Sequence, residues 1–84
     1  MTSIEIARTA ATNGAQLFRP RKDSPGEYDC KPMFTGSHRG WVIMDSFSAS
    51  AIVAVWNGLN ETNRERYGKM NPVTMAKVAF KLVK

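Results

Sequence analysis

The fold of this chain is decided by the stretch WVIMDSFSASAIVAVW, residues 41–56, in which an apolar strand runs directly into an apolar helix. Residues 42–44 would place large apolar groups on both faces of a strand, which predicts a central strand rather than a half-exposed one. Ser48 is the predicted N-cap of the helix, because a serine hydroxyl can accept a hydrogen bond from a free backbone N–H of the first turn. The stretch therefore predicts the core of the domain.

The helix that follows Ser48 is apolar on most of its sides. A helical wheel gathers into one broad arc the residues Ala49, Ala51, Ile52, Val53, Val55, Trp56 and Leu59. The remaining face is small rather than charged, because Ser50, Ala54 and Gly58 recur every four residues. We interpret this face as the contact with a neighbouring helix of the same chain; the alternative is a self-association surface that would form a homodimer.

The segment before this helix is typical of an antiparallel sheet. Strand patterns cover residues 15–19, 27–31 and 41–44, and Pro25 and Gly26 fit the central positions of a type II turn. Because these segments precede the helical ones, we predict an α+β domain with a three-stranded antiparallel meander over roughly residues 15 to 45. Residues 1–13 fit either a short helix or a frayed tail, and the first few also fit a strand.

Two main helices are predicted to cover one face of this sheet, with a short helical turn between them. The turn begins at Thr62, which has capping-box spacing with Glu65, and ends at Gly68. Asn71 and Pro72 then supply the cap and the first residue of the last helix. The apolar arc of the last helix contains Val73, Met75, Ala76, Val78, Ala79, Phe80, Leu82 and Val83, and its narrow side carries Thr74, Lys77, Lys81 and Lys84.

Length and composition indicate one small folded domain, residues 1–84. The hydrophobic fraction of 43% and the charged fraction of 23% are ordinary for a globular protein and argue against disorder. One cysteine and one histidine exclude an intramolecular disulfide and a structural zinc site, so no cofactor is predicted. The sequence has neither a signal-peptide stretch nor a run of membrane-spanning length, which predicts a soluble cytoplasmic protein.

Catalytic groups are too few and too scattered to predict an enzyme. His38 lies near serines in a glycine-rich loop, but the chain has no Gly-x-Ser-x-Gly nucleophile motif, and its carboxylates form no recognisable acid–base pair. The loop Gly36–Gly40 could hold a phosphate through backbone N–H groups and Arg39, yet it lacks the helix and lysine of a phosphate-binding loop. We interpret it as a flexible hairpin connection.

The charge balance favours an anionic partner. Twelve Lys and Arg against seven Asp and Glu give a net charge of +5, as expected for a protein that binds nucleic acid. A basic cluster with Phe18 at the first turn suits phosphates and bases, although a solvated hairpin tip explains it equally well. The last helix lacks the polar side chains of a recognition helix, so we expect little sequence specificity. The predicted nucleic-acid-binding residues are Arg19, Arg21, Lys22, Arg39, Lys77 and Lys81.

Four short segments of the C-terminal half form a recognisable pattern: Ser48-Ala49-Ser50-Ala51-Ile52-Val53, Leu59-Asn60-Glu61, Asn63-Arg64 and Met75-Ala76-Lys77-Val78-Ala79-Phe80-Lys81-Leu82. Through them, residues 41–84 resemble the ends of small uncharacterised proteins from bacteriophages and related mobile elements. The resemblance implies a context in which small proteins bind nucleic acid or inhibit a host protein, including defence components. Two functions stay open: a basic non-catalytic protein associated with nucleic acid, and a protein-binding inhibitor or interaction module, each in the cytoplasm of a bacterial host.

Overall fold

The order of elements along the chain is that of an α+β domain. The computed structural model describes residues 1–82. The elements are α1 (Ser3–Asn13), β1 (Gln16–Pro20), β2 (Tyr28–Pro32), β3 (Val42–Met44), α2 (Ser46–Gly58), α3 (Glu61–Gly68) and α4 (Pro72–Leu82). The predicted α+β class and the antiparallel three-stranded sheet are confirmed. None of the described helices is long and apolar enough to span a membrane.

The strand order of the sheet differs from a meander. β1 lies in the centre and pairs with β2 on one side and β3 on the other, whereas a meander would place β2 in the centre. The reason is that β1 buries both of its faces through Leu17 and Phe18. Val42 and Ile43 of β3 are 42% and 51% exposed, so β3 is an edge strand and its predicted central position was wrong. The loop between β2 and β3 therefore carries the chain from one edge of the sheet to the other.

The N-terminal segment forms the predicted helix and not the alternative, a frayed tail. Thr2 and Glu5 form a capping box: Thr2 Oγ1 accepts a hydrogen bond from Glu5 N, and Glu5 Oε1 accepts one of 2.8 Å from Thr2 N. Ile6 of α1 is fully buried. α1 packs against α2, β1 and β3. It is therefore a third helix on the inner side of the sheet, in addition to the two predicted main helices.

The start of α2 lies earlier than predicted. Asp45, not Ser48, is the N-cap, and its Oδ1 accepts a hydrogen bond of 2.6 Å from Ser48 N. A carboxylate suits this position better than a hydroxyl, because its negative charge also faces the positive end of the helix dipole. Ser48 thus donates to the cap instead of forming it.

The two C-terminal helices are also capped by side chains. Asn60 caps α3 by accepting a 2.9 Å hydrogen bond from a backbone N–H of the first turn, so the predicted cap at Thr62 was wrong. The predicted short turn is consequently a helix of 8 residues. Asn71 accepts a 2.9 Å hydrogen bond in the same way, and Pro72 is the first residue of α4, as predicted.

The core lies between the inner face of the sheet and the helices. Phe18 and Met44 from the sheet join buried side chains of α1, α2 and α4. Ile52 of α2 is fully buried, which confirms that this helix forms part of the core. The buried Tyr67 hydroxyl donates a 2.7 Å hydrogen bond to Met75 O and thereby attaches α3 to α4.

The apolar arc predicted for α4 is narrower in the structure. Met75 and Ala79 are fully buried, whereas Leu82 is 62% exposed. Val83 and Lys84, which the sequence assigned to the arc and to the lysine side, lie outside the described residues. Only part of the arc therefore belongs to the core, and the rest contributes to the surface.

Candidate nucleic-acid interface

The face of the sheet that points away from the helices carries a mixture of apolar and charged side chains. Phe18 points into the core, so its neighbours Leu17 and Arg19 point to the opposite side. The strand register places side chains of β2 and β3 next to them. We call this surface the outer sheet face; it consists of Leu17, Arg19, Asp29, Lys31 and Ile43, together with Trp41, which precedes β3.

Trp41 holds two cations on the outer sheet face. The guanidinium carbon of Arg19 lies 4.3 Å from the centre of the Trp41 ring, and the ammonium nitrogen of Lys31 lies 4.5 Å from it. Both distances are within the range of cation–π attraction. Because Trp41 is itself half-buried, the two positive charges have defined positions on this face.

Asp29 brings two arginines together at the base of the first hairpin. Its Oδ2 accepts a hydrogen bond of 3.2 Å from Arg19 Nε, and its Oδ1 lies 3.8 Å from Arg21 Nε. Arg21 also lies 4.0 Å from Asp23. These ion pairs are solvent-exposed, so we expect them to orient the arginines while contributing little to stability.

The hairpin turn follows the predicted geometry and displays Lys22. Ser24 O accepts a 3.0 Å hydrogen bond from Glu27 N across the turn, and Gly26 has a φ of +84°, which only glycine adopts without strain. Lys22 is exposed and forms no ion pair with any residue of the described range 1–82. It is therefore a free positive charge at the hairpin tip.

The loop at 33–40 is tied to the sheet by Lys31. Lys31 Nζ donates a 3.2 Å hydrogen bond to Ser37 O, and within the loop His38 Nε2 lies 2.6 Å from Met33 O. Arg39 is exposed, and no ion pair to it occurs in the part of the chain that the structure describes. Lys31 thus places one cation beside this loop.

Sequence reasoning missed Lys31 as a functional candidate. As one charge in an alternating strand, Lys31 gave no signal that set it apart from a solvated side chain. Its register opposite Leu17 brings it to the outer sheet face, and its contact with the Trp41 ring requires that β3 lie beside β1. Neither fact is contained in the local sequence pattern.

The predicted lysines of the last helix lie elsewhere. Lys77 and Lys81 are exposed on α4, which packs mainly against α2 and α1. Arg19 and Arg21 share Asp29 as an ion-pair partner, and Lys22 and Arg39 lie in the loops after β1 and β2. Lys77 and Lys81 lie on α4 instead.

The small face of α2 is open to solvent. Ser50, Ala54 and Gly58 are all exposed, so the interpretation that a neighbouring helix of the same chain covers them was wrong. Phe47, 78% exposed, stacks on Phe80 of α4 with ring centres 5.7 Å apart. We call this region the α2–α4 apolar surface; it consists of Phe47, Ser50, Ala54, Gly58, Phe80 and Leu82.

The side chains with the most reactive chemistry make structural contacts. The Cys30 thiol donates a 3.6 Å hydrogen bond to Gln16 Oε1, and burial raises the pKa of this thiol above its ordinary value, which keeps it protonated and weakly nucleophilic. Within residues 1–82 no group of three or more His, Cys, Asp and Glu side chains could hold a metal ion. The cations around Trp41 are suited to the non-covalent binding of an anion.

Arg19, Arg21 and Lys31 are placed by contacts within this chain with Trp41, Asp29 and Ser37. Comparisons with protein families, with curated proteins and with solved structures found no match to the chain.

Proposed function

We propose that this chain is a small non-catalytic protein that binds nucleic acid through phosphate contacts with little sequence specificity. The observation that supports this most strongly is the placement of Arg19 and Lys31 at 4.3 and 4.5 Å from the centre of the Trp41 ring. Exposed Lys22 in the loop after β1 and exposed Arg39 in the loop after β2 add two further charges. The resemblance of the C-terminal half to phage proteins adds a bacteriophage context to the proposal.

The cations retain donors for phosphate oxygens. A guanidinium has five N–H donors, and the bond from Arg19 Nε to Asp29 uses one of them. An ammonium has three, and the bond from Lys31 Nζ to Ser37 O uses one. Charge-assisted hydrogen bonds to a phosphate are about twice as strong as neutral ones. Two positioned cations with unused donors therefore suit a phosphodiester backbone.

Low sequence specificity follows from what this surface lacks. Reading base edges requires polar side chains directed into a groove, usually from a helix or a two-stranded ribbon. The outer sheet face offers cations, a half-buried tryptophan and the partly exposed Ile43. Lys77 and Lys81 on α4 would contact phosphates of the same strand only if it extended around the domain.

Charge reversal at Lys22 and Arg39 tests the proposal. The double variant Lys22→Glu/Arg39→Glu should bind an oligonucleotide of mixed sequence about tenfold more weakly than the wild type at about 50 mM salt, because phosphate contacts dominate such binding. A matched control, Arg8→Glu/Lys69→Glu, makes the same change of net charge on α1 and after α3, and it should lose much less affinity. Equal losses for the two variants would contradict a site near the sheet.

A specific observation favours a second candidate function, a protein-binding inhibitor or interaction module. Phe47 and Leu82 are 78% and 62% exposed on the α2–α4 apolar surface, and α2 contains no charged residue. Exposed aromatic and aliphatic groups of this kind anchor protein interfaces. The partner would be a host protein or, in a homodimer, a second copy of this chain.

The substitution Phe47→Asp tests this second candidate. A protein captured from a nuclease-treated bacterial lysate by the wild type and lost with Phe47→Asp would support it. Sedimentation of the purified wild type would distinguish the homodimer, which the same substitution should dissociate. Monomeric behaviour together with the absence of any captured protein would exclude the α2–α4 apolar surface as an interface.

A further inference from the structure

Phe34 is the most exposed large hydrophobic side chain in the described part of the protein, at 89%. It lies in the loop that Lys31 ties to the sheet, three residues after that lysine. Its neighbour Met33 is only partly exposed. An aromatic ring left almost wholly in water is accessible to a ligand, and its burial on binding would be worth a few kcal/mol.

The backbone at Phe34 is fixed although its ring is free. Thr35 N donates a 3.1 Å hydrogen bond to Pro32 O, which makes Met33 and Phe34 the central residues of a β-turn. The Thr35 hydroxyl donates a second bond of 2.7 Å to the same carbonyl oxygen. A ligand that stacks on Phe34 would therefore order little backbone, which lowers the entropic cost of binding.

We propose that the ligand of this surface is a single-stranded nucleic acid, with one of its bases stacked on Phe34; this rests on the function proposed above. Lys31, which closes the loop by its bond to Ser37 O, and the neighbouring Arg39 supply cations for the adjacent phosphates. Bases in a duplex already stack on one another, whereas a single strand presents unstacked bases to an aromatic ring. Phe34 thus selects single strands over duplexes without reading sequence.

Equilibrium binding of labelled oligonucleotides tests this proposal. Three probes are used: a single-stranded DNA of mixed sequence, the RNA of the same sequence, and the DNA annealed to its complement. A length of about 20 nucleotides is enough for a small single-strand-binding domain. Phe34→Ala should weaken binding to one or both single strands by about tenfold, the typical effect of one lost base stack. Phe34→Ala should leave the affinity for the duplex at the wild-type level. In the wild type, the affinity for the duplex should be lower than the affinity for the single strands.

Matched variants separate stacking from apolar contact. Phe34→Trp keeps a π face and should retain single-strand affinity, whereas Phe34→Leu keeps apolar volume and should lose affinity as alanine does. Because Phe34 is so exposed, all three variants should unfold at the wild-type temperature, which a thermal melt checks.

The outcomes distinguish this inference from the function on which it rests. One outcome would overturn the role of Phe34 and leave the proposed function standing. In it, Phe34→Ala binds both single strands as tightly as the wild type does, whereas Lys22→Glu/Arg39→Glu binds them more weakly. Higher affinity of the wild type for the duplex than for single strands would overturn the role of Phe34 as well. No binding of the wild type to any of the probes would overturn the proposed function itself.

Discussion

Trp41 and Arg19 are joined by a cation–π contact of 4.3 Å, and this contact links the central strand to the edge strand across the outer sheet face. Arg19 belongs to β1, and Trp41 immediately precedes β3. The same ring also lies 4.5 Å from Lys31 Nζ, which belongs to β2. One aromatic side chain therefore connects all three strands and fixes two of the charges that we assign to binding.

Replacement of Trp41 should affect stability and binding together. Trp41→Ala should lower the free energy of unfolding by about 2 kcal/mol, because two partly exposed cation–π contacts and the burial of the ring are lost. Nucleic-acid affinity should fall as Arg19 and Lys31 lose their common support. Trp41→Phe, which keeps a smaller ring, should have a stability and an affinity between those of the wild type and Trp41→Ala. Urea unfolding and a binding isotherm measure both effects, and a full-length alanine variant with wild-type values for both would refute the role of Trp41.

The same substitution at two isoleucines should separate the core from the outer sheet face. Ile52→Ala should cost about 2 to 5 kcal/mol, because Ile52 is fully buried in α2 and its truncation leaves a cavity. Ile43→Ala should cost clearly less, since this side chain is 51% exposed. Urea denaturation of both variants gives the comparison. Similar losses at the two positions would mean that α2 does not form the core described here.

The N-cap of α2 can be assigned by two alanine substitutions. Asp45→Ala should destabilise the protein by about 1 kcal/mol, because it removes the oxygen that accepts the hydrogen bond from Ser48 N. Ser48→Ala leaves that backbone donor in place and should cost less. Thermal unfolding of both variants at neutral pH measures the difference, and a larger loss for Ser48→Ala would reinstate the serine as the cap.

Tyr67 should make stability depend on alkaline pH. Burial raises the pKa of the Tyr67 phenol to about 12 from its ordinary value of 10.0, so the folded state holds this proton more tightly than the unfolded state. The resulting stabilisation is present in full below pH 10.0 and decreases as the pH rises towards about 12. Stability curves of the wild type against pH would show this decrease.

A pair of tyrosine-to-phenylalanine variants assigns this pH dependence to Tyr67. Tyr67→Phe removes the 2.7 Å hydrogen bond to Met75 O and should cost about 1 kcal/mol at neutral pH. Its deficit relative to the wild type should shrink above pH 10.0, where the wild type loses its own stabilisation. Tyr28→Phe, at a half-buried position in β2, serves as the control. A deficit of Tyr67→Phe that stays constant from neutral pH to about 12 would contradict the raised pKa.

Local signals in the sequence predicted those features that local contacts create. Pro25-Gly26 forms its turn and Asn71-Pro72 opens α4, because a fixed proline φ and a short side-chain acceptor act within a few residues. Thr2 and Glu5 also have capping-box spacing in the sequence, and this local signal favours the helix that the structure shows for residues 3–13.

Features that depend on distant partners could not be derived in this way. The apolar run at 42–44 suits a central strand, yet β3 pairs only with β1, so Ile43 stays half-exposed. The contact of Lys31 with Trp41 depends on the order of the strands. The exposure of Ala54 depends on the position of α4. Each requires the tertiary arrangement, which periodicity alone does not specify.

The salt dependence of binding tests the central claim most directly. If Arg19, Lys22, Lys31 and Arg39 each contact a phosphate of a single strand, the plot of log affinity against log salt should have a slope of about −3, and Lys22→Glu/Arg39→Glu should reduce its magnitude by about half. Arg8→Glu/Lys69→Glu should keep the wild-type slope. A wild-type slope near zero, an unchanged slope in the Lys22→Glu/Arg39→Glu variant, or no affinity at about 50 mM salt would contradict phosphate binding by the outer sheet face together with Lys22 and Arg39.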